Sequence, residues 1–364
     1  MRSVLETNKI HRLLIRGTNW IGDSVMAIPA LKMVRQALPQ SSITLLVLPW
    51  VSDIYQGSQF VDEILLYDRD GRHAGMLGRL RLIRTLAERQ FDAALLLQNA
   101  FEPALLARLA GIPLRAGYNR DGRGWLLTHA IPLDRGLSGR HQIHYYLDLV
   151  EQFLGWKRAG LSNLMGLPRL DEQVDLRLSI GEKGQKAARQ RLQEEGVSFR
   201  RKLVGITPGA SYGSAKRWLS DRYAEVLDRL IEEEHAEVII FGSKDELTIA
   251  ESIRQRMANC PKILSGKTRL SQLMAMLTCC DLLITNDSGP MHLAAALRIP
   301  TLALFGSTDQ SATGPLNPSA VVLNKKVECS PCLLRECPID HRCMTHITAD
   351  EVYQQAVRML RVNG

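Results

Sequence analysis

The segment 285–292, Thr-Asn-Asp-Ser-Gly-Pro-Met-His, combines the residue types that bind anions at the start of a helix. It follows an apolar run at 281–284, which predicts a buried parallel strand, and precedes 293–297, which predicts a helix. The first amides of a helix lack intrahelical partners, and the helix dipole makes that end positive. The segment therefore fits an anion site. It also fits an ordinary strand-to-helix loop in which Asp287 or Ser288 caps the helix.

A second strand–turn–helix unit places a carboxylate in a comparable position. The apolar run 13–15 leads into the turn Arg-Gly-Thr-Asn-Trp-Ile-Gly-Asp at 16–23, and apolar residues then recur at helical spacing over 25–38. Open α/β sheets bind ligands at the carboxyl ends of their strands, so Asp23 is a candidate ligand-facing residue. Asp23 is equally a good helix cap. The two glycines do not form a GxGxxG pattern, which disfavours a nicotinamide site.

A third turn, at 208–218, follows the predicted strand 203–207. Its small residues would let the backbone approach a ligand closely, and Lys216 and Arg217 stand where they could neutralise a diphosphate. The turn is not a P-loop, because no serine or threonine follows the lysine in the required frame.

The elements that position these turns alternate between strand and helix, which predicts parallel sheets covered on both faces. The predicted strands are 13–15, 43–48, 63–67, 92–97, 203–207, 237–241, 262–264, 281–284 and 301–305. The principal predicted helices are 25–38, 75–89, 180–196, 270–277 and 349–362. The alternation weakens over 159–178, where we place a domain boundary.

Length and composition limit the class of protein. A chain of 364 residues is expected to form about two domains, and 45% hydrophobic with 23% charged residues is typical of a soluble globular protein. No apolar run reaches the ~18 residues of a membrane span, and residues 1–6 lack the apolar core of a signal peptide. We therefore expect a cytoplasmic protein with reduced thiols.

Positive charge is concentrated in one part of the chain. The formal net charge is +8, and positions 69–140 contain twelve arginines, no lysine and six acidic residues. The planar guanidinium group suits phosphates and carboxylates, so this stretch predicts an anionic partner or an anionic membrane surface. The alternative is a set of solvated helix faces.

Four cysteines, Cys329, Cys332, Cys337 and Cys343, fall within fifteen residues. Thiols this close in a reducing compartment suggest a structural zinc or iron–sulfur site. Their spacing matches no standard zinc finger or ferredoxin pattern, and a reduced loop core or an incidental disulfide are the alternatives.

Together these segments carry a resemblance to a known family. They are Arg16-Gly-Thr-Asn-Trp-Ile-Gly-Asp23, Pro208-Gly-Ala210 with Ala215-Lys-Arg-Trp218, Asn286-Asp-Ser-Gly-Pro-Met-His292, and Cys329-Ser-Pro-Cys332 with Glu336-Cys-Pro338. Over nearly its whole length the chain resembles the ADP-heptose:lipopolysaccharide heptosyltransferases of glycosyltransferase family 9, most of all those that add the second heptose. The resemblance implies a GT-B fold with two facing Rossmann-like domains. Residues 1–175 would bind the acceptor, 176–348 would bind ADP-heptose, and helix 349–364 would cross back onto the first domain.

The implied reaction moves L-glycero-D-manno-heptose from ADP-heptose to the heptose of the lipid A–Kdo–heptose acceptor, with inversion at the anomeric carbon. The acceptor lies at the inner face of the cytoplasmic membrane, which implies a cytoplasmic enzyme peripheral to that membrane. No cofactor is required, because cationic side chains and amides would stabilise the departing ADP.

The resemblance also implies residue roles. Asp23 would be the catalytic base and Lys216 the diphosphate-binding catalytic cation. The remaining donor-binding residues would be Gly209, Ser211, Arg217, Asp245, Asp287, Ser288, Gly289 and His292. The turn at 244–246 would supply a ribose-binding carboxylate, and Asp245 and Glu246 both remain open. We expect acceptor contacts from Asn19, Arg120, Arg123 and Arg140.

Other functions also fit the sequence. The nearest are another nucleotide-sugar transferase, such as the enzyme that adds the first heptose, and a nucleotide-sugar epimerase of GT-B architecture. A nucleic-acid-binding protein is disfavoured, because only 5% of residues are aromatic and no binding module is recognisable.

Overall fold

A computed structural model of the chain describes residues 9–137, 139–155 and 174–362. The chain divides into two compact units, Met1–Asp175 and Leu176–Gly364. The predicted absence of a signal peptide at 1–6 concerns positions outside the described residues, as does most of the weak stretch at 159–178. Each unit contains a six-stranded sheet in which every strand pairing is parallel.

The sheet of the first unit has the order β3-β2-β1-β4-β5-β6. Its strands are β1 Arg12–Arg16, β2 Ser42–Val47, β3 Glu63–Leu66, β4 Ala93–Leu96, β5 Leu114–Tyr118 and β6 His129–Ile131. The helices of this unit are α1 Ile21–Met26, α2 Ile28–Ala37, α3 Pro49–Ser52, α4 Gly75–Glu88, α5 Phe101–Leu109 and α6 Gln142–Phe153. The central strands β1 and β4 are apolar and almost wholly buried, as expected for a sheet covered on both faces.

The helix predicted at 25–38 is interrupted. Helix α1 ends at Met26 and α2 begins at Ile28, with Ala27 between them. Pro29 occupies the first turn of α2, where its lack of an N–H is tolerated, but it cannot continue the hydrogen-bond ladder of α1. Helix α2 therefore starts as a new helix directly after α1, the short helix that carries Asp23.

The sheet of the second unit has the order β12-β11-β10-β7-β8-β9. Its strands are β7 Leu203–Thr207, β8 Glu237–Ile240, β9 Lys262–Ile263, β10 Leu282–Asn286, β11 Thr301–Phe305 and β12 Ala320–Asn324. Its helices are α7 Glu182–Glu194, α8 Ser220–Glu232, α9 Leu247–Arg254, α10 Leu270–Leu277, α11 Gly289–Ala296, α12 Gln310–Thr313, α13 Arg342–Thr345 and α14 Ala349–Val362.

Both sheets therefore repeat one doubly wound strand order. Each unit's fourth strand pairs with its first, so the order reverses between β1 and β4 and between β7 and β10. Such a reversal opens a crevice beyond the carboxyl ends of the two strands, and ligands bind there in open α/β sheets. The turns that carry Asp23, Lys216 and Asp287 lie at these two positions.

The final helix packs in the core of the second unit. Helix α14 contributes Val352, Ala356 and Leu360 to the core of the second unit, where they join β10 and α8. The phenol of Tyr353 donates to Glu233 Oε2 at 2.7 Å, on α8's carboxyl end. Its apolar stripe is therefore buried within the second unit, and the crossing of this helix back onto the first domain stays a prediction.

Candidate functional site

The turn after β1 is held in place by a glycine and a buried arginine. Gly17 donates its amide to Leu46 O at 3.0 Å, and a Cβ at this position would lie 2.7 Å from Cγ1 of Val47. Arg16 donates to Gly17 O at 2.6 Å and to Asn19 Oδ1 at 2.8 Å. Burial lowers the pKa of Arg16 to about 10, so it remains charged at neutral pH. This network fixes the path of the chain into α1.

Asp23 is the third residue of α1 and is partly exposed. The N-cap is Trp20, without a side-chain cap, so the alternative in which Asp23 caps the helix is wrong. The phenol of Tyr146 in α6 donates to Asp23 Oδ1 at 2.9 Å. Burial, and then the charge of Asp23, raise the pKa of Tyr146 well above its ordinary value, so the phenol remains protonated. Asp23 is thus an oriented carboxylate able to accept a proton.

The predicted acceptor arginines differ in their surroundings. Arg123 is fully buried, and its guanidinium donates to Tyr118 O at 3.0 Å and Asn99 Oδ1 at 2.9 Å. Its predicted acceptor contact is therefore wrong, because its donors are used to join the loops after neighbouring strands. Arg120 and Arg140 are exposed. Asn19, also proposed as an acceptor residue, is partly exposed beside Asp23's helix.

In the second unit, Asn286 joins the two turns at the reversal of strand order. Its Oδ1 accepts from Trp218 N and from the phenol of Tyr223, both at 3.1 Å, and its Nδ2 donates to Pro208 O at 2.7 Å. Asn286 is fully buried, so these bonds are protected from water. The sequence places Asn286 in the segment but gives it no role. The structure shows that it holds the 208–218 turn against β10.

Lys216 and Asp287 form an ion pair at this reversal. Lys216 lies in a 3-10 turn, Ser214–Lys216, and its Nζ is 2.6 Å from Asp287 Oδ2. The same oxygen accepts from Thr308 Oγ1 at 2.7 Å. The side chains are only 14% and 4% exposed. Asp287 thus holds the ammonium group of Lys216 in place at the reversal of strand order.

The surroundings of this pair provide further donors. Ser288 is the N-cap of α11, but its side chain makes no capping hydrogen bond. The Ser288 side chain therefore does not occupy the amides at the start of the helix, near Gly289. Arg217 donates from Nη2 to Ala210 O at 3.2 Å. Its Nε is buried and has no hydrogen-bond partner within the described residues. A buried donor without an acceptor is costly, so an acceptor atom supplied by a ligand at this position would be favourable.

Two other predicted donor residues differ in exposure. Ser211 is exposed at the tip of the 208–218 turn, whereas His292 is buried within α11. Ser211 is thus accessible to a ligand. The burial of His292 leaves little of its side chain available.

The 3-10 turn Lys244–Glu246 distinguishes the two candidate carboxylates. Glu246 Oε2 accepts from the amide and hydroxyl of Ser243 at 2.7 and 3.0 Å, which forms a capping box. A Cβ at Gly209 would lie 1.9 Å from Glu246 Oε1, so the carboxylate lies directly over the glycine after β7. Asp245 is exposed to solvent. Glu246 is therefore the carboxylate at the strand ends.

The cysteines do not form a recognisable metal site. Across residues 9–137, 139–155 and 174–362, no group of three or more His, Cys, Asp or Glu side chains is arranged to hold a metal ion. All seven cysteines are free thiols, and burial raises the pKa of Cys343 to about 11. The suggested zinc or iron–sulfur site is not supported.

The cysteine-rich segment, residues 329–343, instead packs on the 208–218 turn. Arg335 O accepts from Ala215 N at 3.0 Å, and Leu333 O accepts from the phenol of Tyr212 at 2.8 Å. The guanidinium of Arg335 lies 5.4 Å from the centroid of the Tyr212 ring, and Lys216 Nζ lies 5.0 Å from it. Arg335 is thus a second cation that packs on the Tyr212 ring. Sequence reasoning missed it because only the fold brings position 335 to this turn.

Among the described residues, every helix is too short or too polar to cross a membrane.

Comparisons with known proteins agree with this arrangement. The model of glycosyltransferase family 9 (heptosyltransferase) matches residues 79–342. The chain is 31% identical over 320 residues to lipopolysaccharide heptosyltransferase 2 of Escherichia coli strain K12, covering 86% of this chain and 87% of that protein. It is 29% identical over 364 residues to lipooligosaccharide heptosyltransferase 2 of Haemophilus ducreyi, covering 96% and 99%.

Solved structures show the same relationship. The structure of E. coli ADP-heptose LPS heptosyltransferase II is similar with a TM-score of 0.78 and 27% identity, over 96% of this chain and 99% of that chain. The glycosyl transferase family 9 protein from Veillonella parvula gives a TM-score of 0.82 and 25% identity, over 97% and 98%. These likenesses confirm the predicted α/β, GT-B fold class.

Proposed function

The chain belongs to glycosyltransferase family 9, the heptosyltransferases, and we propose that it adds the second heptose of the lipopolysaccharide inner core. The donor is ADP-heptose, and the acceptor is the heptose of a lipid A–Kdo–heptose molecule at the inner face of the cytoplasmic membrane. The support is the set of relatives named heptosyltransferase 2 together with the similar structure named for ADP-heptose.

The second unit binds the donor, and the observation that carries this assignment is the Lys216–Asp287 pair beside β7 and β10. Lys216 contacts the diphosphate and stabilises the charge that develops as ADP departs. The amides at Ser288 and Gly289 contribute through the start of α11. Arg217 Nε and the guanidinium of Arg335 supply further donors at the same edge.

Glu246, rather than Asp245, accepts from the ribose 2′-hydroxyl. Its position over Gly209 supports this choice. We expect Glu246→Gln to weaken binding of ADP, because the carboxylate that accepts from the 2′-hydroxyl is lost. Binding of 2′-deoxy-ADP should stay nearly unchanged, because this nucleotide has no 2′-hydroxyl to donate. The glutamine keeps the capping box intact. Calorimetric titration of both nucleotides tests this, with Asp245→Asn as the matched control. Equal loss for both nucleotides would assign Glu246 a purely structural role.

The first unit binds the acceptor, with Asp23 as general base. A new bond forms between the acceptor oxygen and the anomeric carbon of the donor heptose while the bond from that carbon to the phosphate oxygen breaks. The acceptor's hydroxyl proton passes to Asp23, and the electron pair of the broken bond leaves with ADP. Asn19, Arg120 and Arg140 are proposed to orient the acceptor and its anionic groups.

Transfer needs no cofactor in this scheme, because side-chain cations stabilise the leaving group. The protein acts in the cytoplasm, at the inner face of the membrane that holds its acceptor.

The function is tested by incubating the full chain with ADP-heptose and truncated lipopolysaccharides that carry zero, one or two heptoses. Mass spectrometry is expected to show one added heptose only on the acceptor that already has one. Extension of the heptose-free core would assign the chain to first-heptose addition. An isomerised nucleotide sugar without extension would make it an epimerase.

A further inference from the structure

Helix α4 of the first unit exposes large apolar side chains in its first two turns. Met76, Leu77 and Leu80 are 72%, 79% and 53% exposed. The opposite side of the helix holds Leu82 and Leu86, which are buried in the core of the unit. The helix thus has one apolar side that packs and a second apolar patch that does not.

Arginines continue the exposed patch. Arg81 and Arg84 lie one turn beyond Leu77 and Leu80, at the i+4 spacing that places side chains on the same face of a helix. Arg72 is joined to the same surface because Arg81 Nη1 donates to Arg72 O at 2.9 Å. Within the described residues, neither Arg72 nor Arg81 forms an ion pair. Over positions 69–89 there are six arginines and two acidic residues.

The patch lies at the functional edge of its sheet. Helix α4 follows β3, so its first turns lie near the carboxyl ends of the parallel strands. The first turn of α1, which contains Asp23, lies at the same edge of the sheet. Trp50 follows β2 at the same edge and is partly exposed, with the guanidinium of Arg69 5.6 Å from its ring centroid. Apolar and cationic groups are thus interleaved along one side of this unit.

We propose that the α4 patch, formed by Met76, Leu77, Leu80, Arg72 and Arg81, docks on the surface of an anionic phospholipid bilayer. Exposed apolar side chains enter the boundary between headgroups and acyl chains, while arginines without carboxylate partners pair with lipid phosphates. A purely apolar patch would equally fit a protein partner, but the adjoining positive charge favours an anionic surface. The docking surface goes beyond the proposed transfer, and its binding is measured without any turnover.

The test is sedimentation or flotation of the full chain with vesicles of phosphatidylglycerol and phosphatidylcholine, at low and at high salt. We expect the wild-type protein to bind the vesicles that contain phosphatidylglycerol and not to bind vesicles of pure phosphatidylcholine. Arg72→Ala with Arg81→Ala should lower the partition coefficient about 25-fold, at roughly 5-fold per arginine. Leu77→Ser with Leu80→Ser should lower it at least ~10-fold, because the apolar contact is lost.

Matched control variants remove arginines or an apolar side chain from the second unit, outside the α4 patch. Arg200→Ala with Arg201→Ala removes two exposed arginines of the second unit, and Ile339→Ser removes an exposed apolar side chain there. Both controls should bind vesicles as wild type does.

Three results would overturn the proposal. They are the absence of wild-type binding to the anionic vesicles, undiminished binding by the patch variants, and a wild-type dimer that Leu77→Ser with Leu80→Ser converts to a monomer. The last result would make the patch a subunit interface. Because no heptose donor enters the assay, failure of the proposed transferase function would leave this outcome unaffected.

Discussion

At the scale of single residues, Asp287 resolves an electrostatic conflict. A carboxylate beside a diphosphate-binding site repels its ligand unless a cation holds it. Here Lys216 and Thr308 both donate to the same oxygen of Asp287. Two buried groups of opposite charge tolerate burial together, whereas either one alone leaves an uncompensated charge. The pair therefore stabilises the buried turn, and this structural role is separable by substitution from the donor binding proposed for Lys216.

We expect Lys216→Met to lower the free energy of unfolding by about 3 kcal/mol, because buried Asp287 loses its counter-charge. Adding Asp287→Asn should recover most of that stability, since the remaining group is neutral. Neither variant should bind ADP with wild-type affinity, because the ammonium group is absent from both. Denaturant unfolding and calorimetric titration measure the two effects. A single variant as stable as the double variant would contradict this account of the pair.

Asp23→Ala should retain ADP affinity and lower turnover by at least ~10²-fold, which is the usual size of a general-base effect. Glu88→Gln, which changes a carboxylate at the far end of α4, is the control and should turn over normally. Near-normal turnover of Asp23→Ala would leave the carboxylate without a catalytic role.

Tyr146→Phe should move the acid limb of the pH–rate profile to higher pH. The raised pKa of Tyr146 keeps its phenol protonated at neutral pH, where it donates to the ionised form of Asp23. Removing this hydrogen-bond donor disfavours the ionised carboxylate, so a higher pH is needed to populate it. A profile of kcat against pH tests this shift. An unchanged limb with lower kcat at every pH would indicate only lost packing.

At the scale of elements, apolar runs locate the central strands well. Strands β7 and β11 and helices α10 and α14 begin and end where the sequence predicts. The elements that the sequence patterns do not predict include α5, β5, β6, α6 and β12. Strand β5 contains Arg115 and Gly117, and β6 has only three residues, so neither has a long apolar run. Strand β12 does have an apolar run at 320–323, which is not predicted as a strand.

Site prediction shows a similar division. Spacing locates Asp23, Lys216 and Asp287, because each follows directly from a strand and a turn. Tertiary contacts cannot be read in this way: Tyr146 is 123 residues from Asp23, and Arg335 reaches Ala215 only through the fold. The same limit explains the failed prediction of an acceptor contact for Arg123. Its charge suggests a ligand contact, but only the fold shows that its guanidinium is buried.

Gly213 tests the junction between the 208–218 turn and the cysteine-rich segment. Its φ of 162° is extended backbone, which any residue adopts, but a Cβ would lie 2.1 Å from Arg335 O. Gly213→Ala should cost about 1–3 kcal/mol through overpacking and should weaken ADP binding. Gly181→Ala has open space at its Cβ and should stay within about 0.5 kcal/mol of wild type. Thermal unfolding and nucleotide titration distinguish them. Equal behaviour of the two variants would show that the junction is easily displaced.

At the scale of the whole molecule, one architecture occurs twice with different charged groups at its reversal point. The first unit presents the carboxylate of Asp23, and the second presents the ammonium of Lys216. Each sheet has its own buried central strands, so each unit can keep its turn in place with its own core. The chemistry assigned to the two units needs charges from side chains alone.

We therefore expect turnover to be unchanged after dialysis against EDTA, and metal analysis of the purified chain to give substoichiometric zinc and iron. The physical reason is that cations fixed by the fold take the place of a bound ion at the leaving group. A rate assay with ADP-heptose before and after dialysis is the measurement. Loss of transfer that Mg²⁺ or Mn²⁺ restores would contradict this prediction.

The pairing of Lys216 with Asp287 also bears on how each catalytic cycle ends. A nucleotide that enters the pocket must compete with a resident carboxylate for the same ammonium group, so part of the attraction is cancelled in advance. Spent ADP is consequently held less tightly than a bare lysine would hold it. In the proposed transfer, the ion pair that orders Lys216 thus also favours product release.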